Sequence, residues 1–151
     1  MAYSTITKPG LHFNTVTYAG NAGTNAITGV GFQPDWVWIK VYDDTSSHRS
    51  FDSVRGVTKR LKQDTTEAEA TAATELTAFG ADGFTVGNSA AINGSGDNHV
   101  AWNWKAGTTS GITQGGASIT PTSYSLNATA GFSIIKYTGT GSNATVPHGL
   151  G

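Results

Sequence analysis

The chain has 151 residues and a mass of 15.6 kDa, which suits one domain, or one domain with a short tail. Only 13% of residues are charged and the net charge is -1, so there is no basic stripe to neutralise a phosphate backbone, and nucleic-acid binding is excluded. The absence of cysteine removes disulfide frameworks, thiolate zinc sites and cysteine nucleophiles. Polarity comes instead from 23 Thr, 13 Ser, 9 Asn and 20 Gly, a composition of pleated strands and tight turns rather than of a helical bundle. The segment from Met1 to Lys8 has no apolar run of signal-peptide length, and no later stretch suits a membrane-spanning helix. A soluble protein without membrane insertion is expected.

Residues 1–11 read as an N-terminal arm ending in the Lys8-Pro-Gly10 turn signal. From Phe13 to Tyr18 the residues alternate with a period of two, as in a strand, and Gly20-Asn-Ala-Gly23 closes it. Trp36-Val-Trp-Ile-Lys-Val-Tyr42 is the strongest strand signal and predicts a central strand covered on both faces. Asp43 to Ser47 is a polar loop, and His48 to Arg55 alternates weakly. Residues 57–79 read as an extended excursion that could include a short helix, since Thr65-Thr66 with Glu69 resembles a capping box and Ala68, Ala72, Leu76 and Phe79 have helical spacing. Phe79-Gly-Ala-Asp-Gly83 predicts a hairpin turn into a strand at Phe84–Gly87, followed by a loop from Asn88 to Asn98. His99 to Lys105 is a second strong strand with Val100, Trp102 and Trp104 on one face, and Ser118 to Leu126 is an edge strand. Short strands punctuated this often predict an antiparallel β-sandwich over residues 12–126.

The chain also repeats itself. Phe13-Asn-Thr-Val-Thr-Tyr18-Ala-Gly20 matches Phe132-Ser-Ile-Ile-Lys-Tyr137-Thr-Gly139, and both run on to a Gly-x-Gly, at Gly29–Gly31 and Gly149–Gly151. The second copy lacks the Trp-rich strand that follows the first. Residues 127–151 are therefore expected to be a linker and the start of a second, truncated β module in a longer protein, with 132–146 pairing either with the first sheet or with that module.

Asp43, Asp44, His48, Asp52 and Arg55 cluster in sequence. Asp52 and His48 could serve as an acid/base pair and the aspartates as hard oxygen ligands, but the acidic spacing of a calcium loop is missing. They are carried forward as a candidate surface contact, with an Asp52–Arg55 pair holding a turn. His12, His48, His99 and His148 lack metal-ligand spacing, and no nucleophile elbow or phosphate loop occurs. No catalytic, metal or cofactor site is expected. Trp36, Trp38, Trp102 and Trp104 are expected to build the core, the alternative being stacking platforms for a carbohydrate.

Four blocks in order, Phe32-Gln-Pro-Asp-Trp-Val-Trp-Ile-Lys40, Asp52-Ser-Val-Arg-Gly56, Asp82-Gly-Phe-Thr-Val-Gly87 and Val100-Ala-Trp-Asn-Trp-Lys-Ala106, resemble a domain of tailed-bacteriophage virion proteins. That domain is common in marine phages, often in tail fibre or structural proteins. The resemblance implies a concanavalin-like jelly-roll sandwich, followed by a second module whose beginning matches Lys136 to Gly151. It brings no catalytic residues. What it implies is a virion structural protein of a tail fibre or appendage, acting in assembly and host attachment. Its partners would be other virion proteins, further copies of itself (a trimer in a fibre) and a host surface glycan or receptor. A capsid decoration or head fibre protein is the near alternative. A jelly-roll carbohydrate-active enzyme or glycan-binding module is the other; the enzyme would need paired carboxylates in a groove, and the ten acidic residues form no Glu-x-Asp-x-Glu strand pattern.

Overall fold

The computed structural model describes residues 6–151. A 3-10 turn at Pro9–Leu11 leads into β1 (Phe13–Ala19) and β2 (Asn25–Ile27), then β3 (Trp36–Val41) and β4 (Arg49–Asp52). The excursion that follows holds β5 (Lys59–Arg60) and β6 (Ala70–Thr71), and then β7 (Leu76–Gly80) and β8 (Gly83–Val86) form a hairpin. A single helical turn, α1 (Ala90–Asn93), precedes β9 (Asn98–Trp104), β10 (Ser123–Asn127) and β11 (Phe132–Lys136). Every pairing between these strands is antiparallel. The molecule is an all-β sandwich, as its composition predicts.

One sheet has the order β1-β9-β3-β4 and the other β2-β8-β7. Because side chains alternate across a strand, the register of the first sheet sorts residues into rows. On its inner face stand Val16, Ala101, Ile39 and Arg49 in one row, and Asn14, Asn103, Val37 and Phe51 in the next. Val37, Ile39, Phe51 and Ala101 pack there against Ile27, Leu76, Phe84 and Val86 of the second sheet, with Ile92 of α1 closing one end. Compact aliphatic chains and two phenyl rings suit the gap of about 10 Å between packed sheets.

The outer face of the same sheet carries the indoles. Phe13, Trp104, Trp36 and Asp52 form one row, Thr15, Trp102, Trp38 and Ser50 the next, and Thr17, Val100 and Lys40 a third. All four tryptophans are partly exposed, and none belongs to the buried core. The expected core role of Trp36, Trp38, Trp102 and Trp104 is therefore corrected. β3 is apolar on both faces but for Lys40, and the second sheet covers the face that carries Val37, Ile39 and, on β9, Ala101.

Two other expectations change. Residues 57–79 contain no helix. The Ala stripe offers little apolar area, Leu76 is drawn into the core as the first residue of β7, and the Thr65 hydroxyl accepts the Glu67 N–H in a local turn. The helical turn lies instead at Ala90–Asn93, inside the expected loop. The expected domain break after residue 126 falls within β10, which pairs with β11 from Ser123↔Lys136 to Asn127↔Phe132. Further on, the Thr145 carbonyl accepts the Ile119 N–H at 3.1 Å. The C-terminal segment thus pairs with its own chain, and β10 is tied back to the body by two bonds between Thr108 and Leu126.

Glycine is obligatory where backbones cross. A Cβ on Gly20 would stand 1.9 Å from the Gly94 carbonyl oxygen, and one on Gly83 would stand 2.1 Å from that of Ile27. Gly83 closes the two-residue β7–β8 turn.

The face assignment has a thermodynamic consequence. Phe51→Ala is expected to cost about 3–5 kcal/mol in urea unfolding, as for other buried aromatic deletions, and Trp102→Ala clearly less, since its ring already meets solvent. Equal losses would put the indole back in the core.

Candidate functional site

The outer face is a continuous array of rings. Trp36 stacks on Trp104 with centroids 5.0 Å apart, and Phe13 leans on Trp104 at 4.9 Å. Along the strands Trp36 lies 6.4 Å from Trp38, and Trp38 lies 5.6 Å from Trp102 at a 55° tilt. The β10–β11 hairpin lays one ring on the first row. Its Phe132 lies nearly parallel to Trp36, at 5.9 Å and 13°, and to Trp104, at 6.1 Å and 21°. Both copies of the internal repeat thus place their phenylalanine on one indole. Trp38 and Trp102 have ring contacts with neighbours in the sheet and none with the hairpin.

Polar groups edge the Trp38–Trp102 row. The Trp38 indole N–H donates to His48 Nδ1 at 3.0 Å, so Nδ1 holds the lone pair and the imidazole proton sits on Nε2. Lys40, two residues along β3 from Trp38, donates to the carbonyls of Val41 and, at 2.7 Å, Asp44. Among the described residues it makes no ion pair. The Thr15 and Thr17 side chains are exposed on the same face.

The five residues expected to form a surface contact divide. Asp43 and Asp44 sit at the end of β3 as loop anchors. Asp43 accepts the Asn98 backbone N–H at 3.1 Å and its side-chain amide at 2.7 Å, bonds that hold its carboxyl below the usual range. Asp44 accepts the Thr45 N–H at 2.6 Å, with the same effect. His48 and Asp52 flank the aromatic face, and Arg55 reaches Asp52 at 2.5 Å while its backbone N–H donates to the other carboxylate oxygen at 2.8 Å. That is the expected turn-holding pair.

Asp35 is a residue whose role the sequence does not announce. Its buried carboxylate accepts the Ser53 hydroxyl at 2.7 Å, the Ser125 hydroxyl at 3.1 Å and the Ala106 N–H at 2.8 Å. Those partners follow β4, lie in β10 and follow β9, so one carboxylate joins the C-terminal hairpin to the sandwich. A cleft of about 630 Å³ opens beside it, lined by Gln33, Ser53, Lys105 and Tyr124. Asn93 plays the same part at the opposite end. Fully buried, it takes the Asn21 N–H at 3.0 Å and donates to the carbonyls of Gly23 and Gly87, both at 2.7 Å. Asp82 holds the N–H groups of Gly29 and Gly31 at 3.0 and 2.6 Å, which lowers its pKa.

His99 is buried on the inner face, stacked on Tyr18 at 4.7 Å and 7°, and neither ring nitrogen has a hydrogen-bond partner. Burial pushes its pKa down, only partly opposed by Asp97 and Asp43. Burial also raises the Tyr18 phenol, whose hydroxyl donates to the Ile92 carbonyl at 2.7 Å. Glu75 forms a buried cluster with Arg49 at 3.2 Å and Arg60 at 3.0 Å.

Among the described residues no group of three or more His, Asp or Glu is placed to hold a metal ion, and no helix is long and apolar enough to cross a membrane. What fold and site define is a β-sandwich domain with one aromatic sheet face, on which its own hairpin places Phe132. The model of one family, described as Domain of unknown function (DUF7483), matches residues 8–151, and the chain belongs to that family. No curated protein and no solved structure matches it.

Two outcomes follow from these polar anchors. Asp35→Ala leaves two hydroxyls and an N–H without their acceptor and is expected to cost on the order of 3 kcal/mol, with amide exchange of β10 and β11 accelerating more than that of β3. Exchange rising equally in both would separate Asp35 from the hairpin. His99 binds its proton at lower pH in the folded state than in the unfolded chain, so the unfolded state holds more protons just below the ordinary value of 6.5. Its contribution is full above that pH and declines as pH falls through it towards the depressed folded value. Urea midpoints at about pH 7.5 and about pH 5.5 should differ less for His99→Phe than for the parent protein; an unchanged difference would clear His99 of the effect.

Proposed function

We propose that this chain is a non-catalytic, concanavalin-like jelly-roll module of a tailed-phage virion, part of a tail fibre or similar appendage that serves assembly and host attachment. The observation that carries the reading is the aromatic outer face, four part-exposed indoles flanked by the exposed Phe13. A large apolar face that its own chain does not fully bury marks a place of contact. The four sequence blocks support the same assignment, since they build this face and its anchors: Asp35 and Trp36 to Lys40, Asp52 to Arg55, Asp82, and Val100 to Trp104.

A hydrolase is the weaker reading. Among the described residues the buried carboxylates are Asp35, Asp52 and Glu75, and each already holds hydroxyls, backbone N–H groups or arginines. A glycosidase instead needs two carboxyl groups free to face a sugar across roughly 5–9.5 Å. The low charge and the Thr, Ser and Asn surface suit dense packing between like subunits, so the partners in this reading are other virion proteins and further copies of the chain.

Antibodies against residues 6–151 should label the tail appendages of intact particles in electron microscopy. Label on the head surface would convert the assignment to capsid decoration, and particles without label would remove it.

A further inference from the structure

We propose that β1 is the contact between two copies of this chain, pairing antiparallel with its own counterpart about a two-fold axis at Thr15. The inference stands on the edge of the sheet and does not depend on where the chain is used.

The ladder fixes which backbone groups of β1 are free. The Lys105 N–H donates to the His12 carbonyl at 2.8 Å and the Gly20 N–H to the Asp97 carbonyl at 2.9 Å. In the antiparallel register between them, Asn14, Val16 and Tyr18 turn their backbone groups to β9. Phe13, Thr15, Thr17 and Ala19 turn theirs away, to a side on which β1 has no partner strand among the described residues. The Asn25 amide reaches the Ala19 carbonyl at 3.2 Å, and the Thr15 N–H donates to Asn14 Oδ1 at 2.9 Å. The N–H and C=O of Phe13 and Thr17, and the Thr15 carbonyl, have no partner among the described residues.

The other edges of the two packed sheets are closed to such pairing. β4 exchanges two backbone bonds with Leu61 through Ser50 and carries Arg49 and Asp52. β2 has three residues, and a register shift between Leu76 and Ala78 breaks β7. Short strands, charges and bulges are the devices that keep sheets from joining edge to edge. β1 runs for seven residues without a charge, a proline or a shift in register. Two of the exposed large apolar side chains, Leu11 and Phe13, stand at its start.

The free groups choose both the partner and the register. Alternating N–H and C=O groups along an edge are satisfied together only by another extended strand. An uncharged edge selects no charged segment, and a second β1 brings the matching pattern without like-charge repulsion. With Thr15 opposite Thr15 of the second copy, each Phe13 faces a Thr17, so the free groups of both residues are used in both molecules. Ala19 keeps its bond to Asn25, and the Thr15 N–H exchanges Asn14 Oδ1 for a carbonyl of the second copy. Two threonines then meet at the axis, a favourable cross-strand pair. The β1-β9-β3-β4 sheet would run on through both molecules.

The test is sedimentation equilibrium of the full chain, with oxidation of single-cysteine variants, since the chain has no cysteine of its own. The parent should be a dimer whose share rises with concentration. Thr15→Lys, a change at an exposed side chain, sets two ammonium groups face to face and should weaken dimerisation by about tenfold or more. Thr15→Cys should cross-link readily, because residues opposed at the axis have Cα atoms about 5.5 Å apart, within reach of a disulfide. Thr17→Cys should not, its counterpart lying about four residues, roughly 13 Å, along the strand. A parent protein that stays monomeric at about 0.1 mM would overturn the proposal, as would a trimer or a dimer that Thr15→Lys leaves intact. Equal cross-linking at the two positions would overturn it too. Should Thr15→Lys fail to fold, the two cysteine variants decide. Particle labelling is an independent measurement, so labelled appendages with a strictly monomeric chain would sink this inference and spare the virion reading.

Discussion

The structure turns on a requirement of its two central strands. β3 and β9 turn Val37, Ile39 and Ala101, together with the buried polar His99 and Asn103, to one side, and Trp36, Trp38, Trp102 and Trp104, together with Lys40, to the other. A sheet of this kind needs cover on both sides, and a single partner sheet supplies one. The second sheet takes the aliphatic side and forms the core with it. The indole side must be covered by something else, and the β10–β11 hairpin contributes Phe132, laid on Trp36 and Trp104.

Much of the remaining architecture serves this arrangement. Asp35 precedes β3 directly and gathers groups from the ends of β4 and β9 and from β10, so the hairpin is docked at the point where the indole face begins. Asp52 and Arg55 hold the β4 side of the same row. At the far end Asp43 and Asn93 clamp loops through backbone N–H and carbonyl groups, and at the near end Asp82 holds the Gly29–Gly31 segment against Asn14, which keeps the aromatic face on a rigid support. Rigid presentation matters for a recognition surface, because side chains already held in place lose little freedom on binding.

The internal repeat takes on a physical meaning in the fold. Its two phenylalanines, Phe13 and Phe132, approach the same ring, Trp104, one from the edge of the sheet and one from the hairpin. Its two Gly-x-Gly segments are held differently: Gly29 and Gly31 donate to Asp82, whereas Gly149 lies against Leu126 and Ile112. The shared pattern starts a strand in each copy, β1 at Phe13 and β11 at Phe132.

The strands of this protein were legible in the residue order, because a period of two, β-branched and aromatic residues and Gly-rich turns act locally. Trp36–Val41, Asn98–Trp104 and the Gly80–Gly83 turn all stand where alternation and turn chemistry put them. The Asp52–Arg55 pair was legible for the same reason, its partners being three positions apart. Which face of β3 and β9 turns inward was not, since β3 carries large apolar residues on both faces and the answer lies in the short strands that supply Ile27, Leu76, Phe84 and Val86 from elsewhere in the chain. Nor could local pattern reveal that Asp35, Asn93 and His99 are buried, or that His48 completes an indole rather than an acid pair, because each depends on partners brought together by the packing of the sheets and loops. Tertiary structure alone decided that the largest apolar side chains would form a surface.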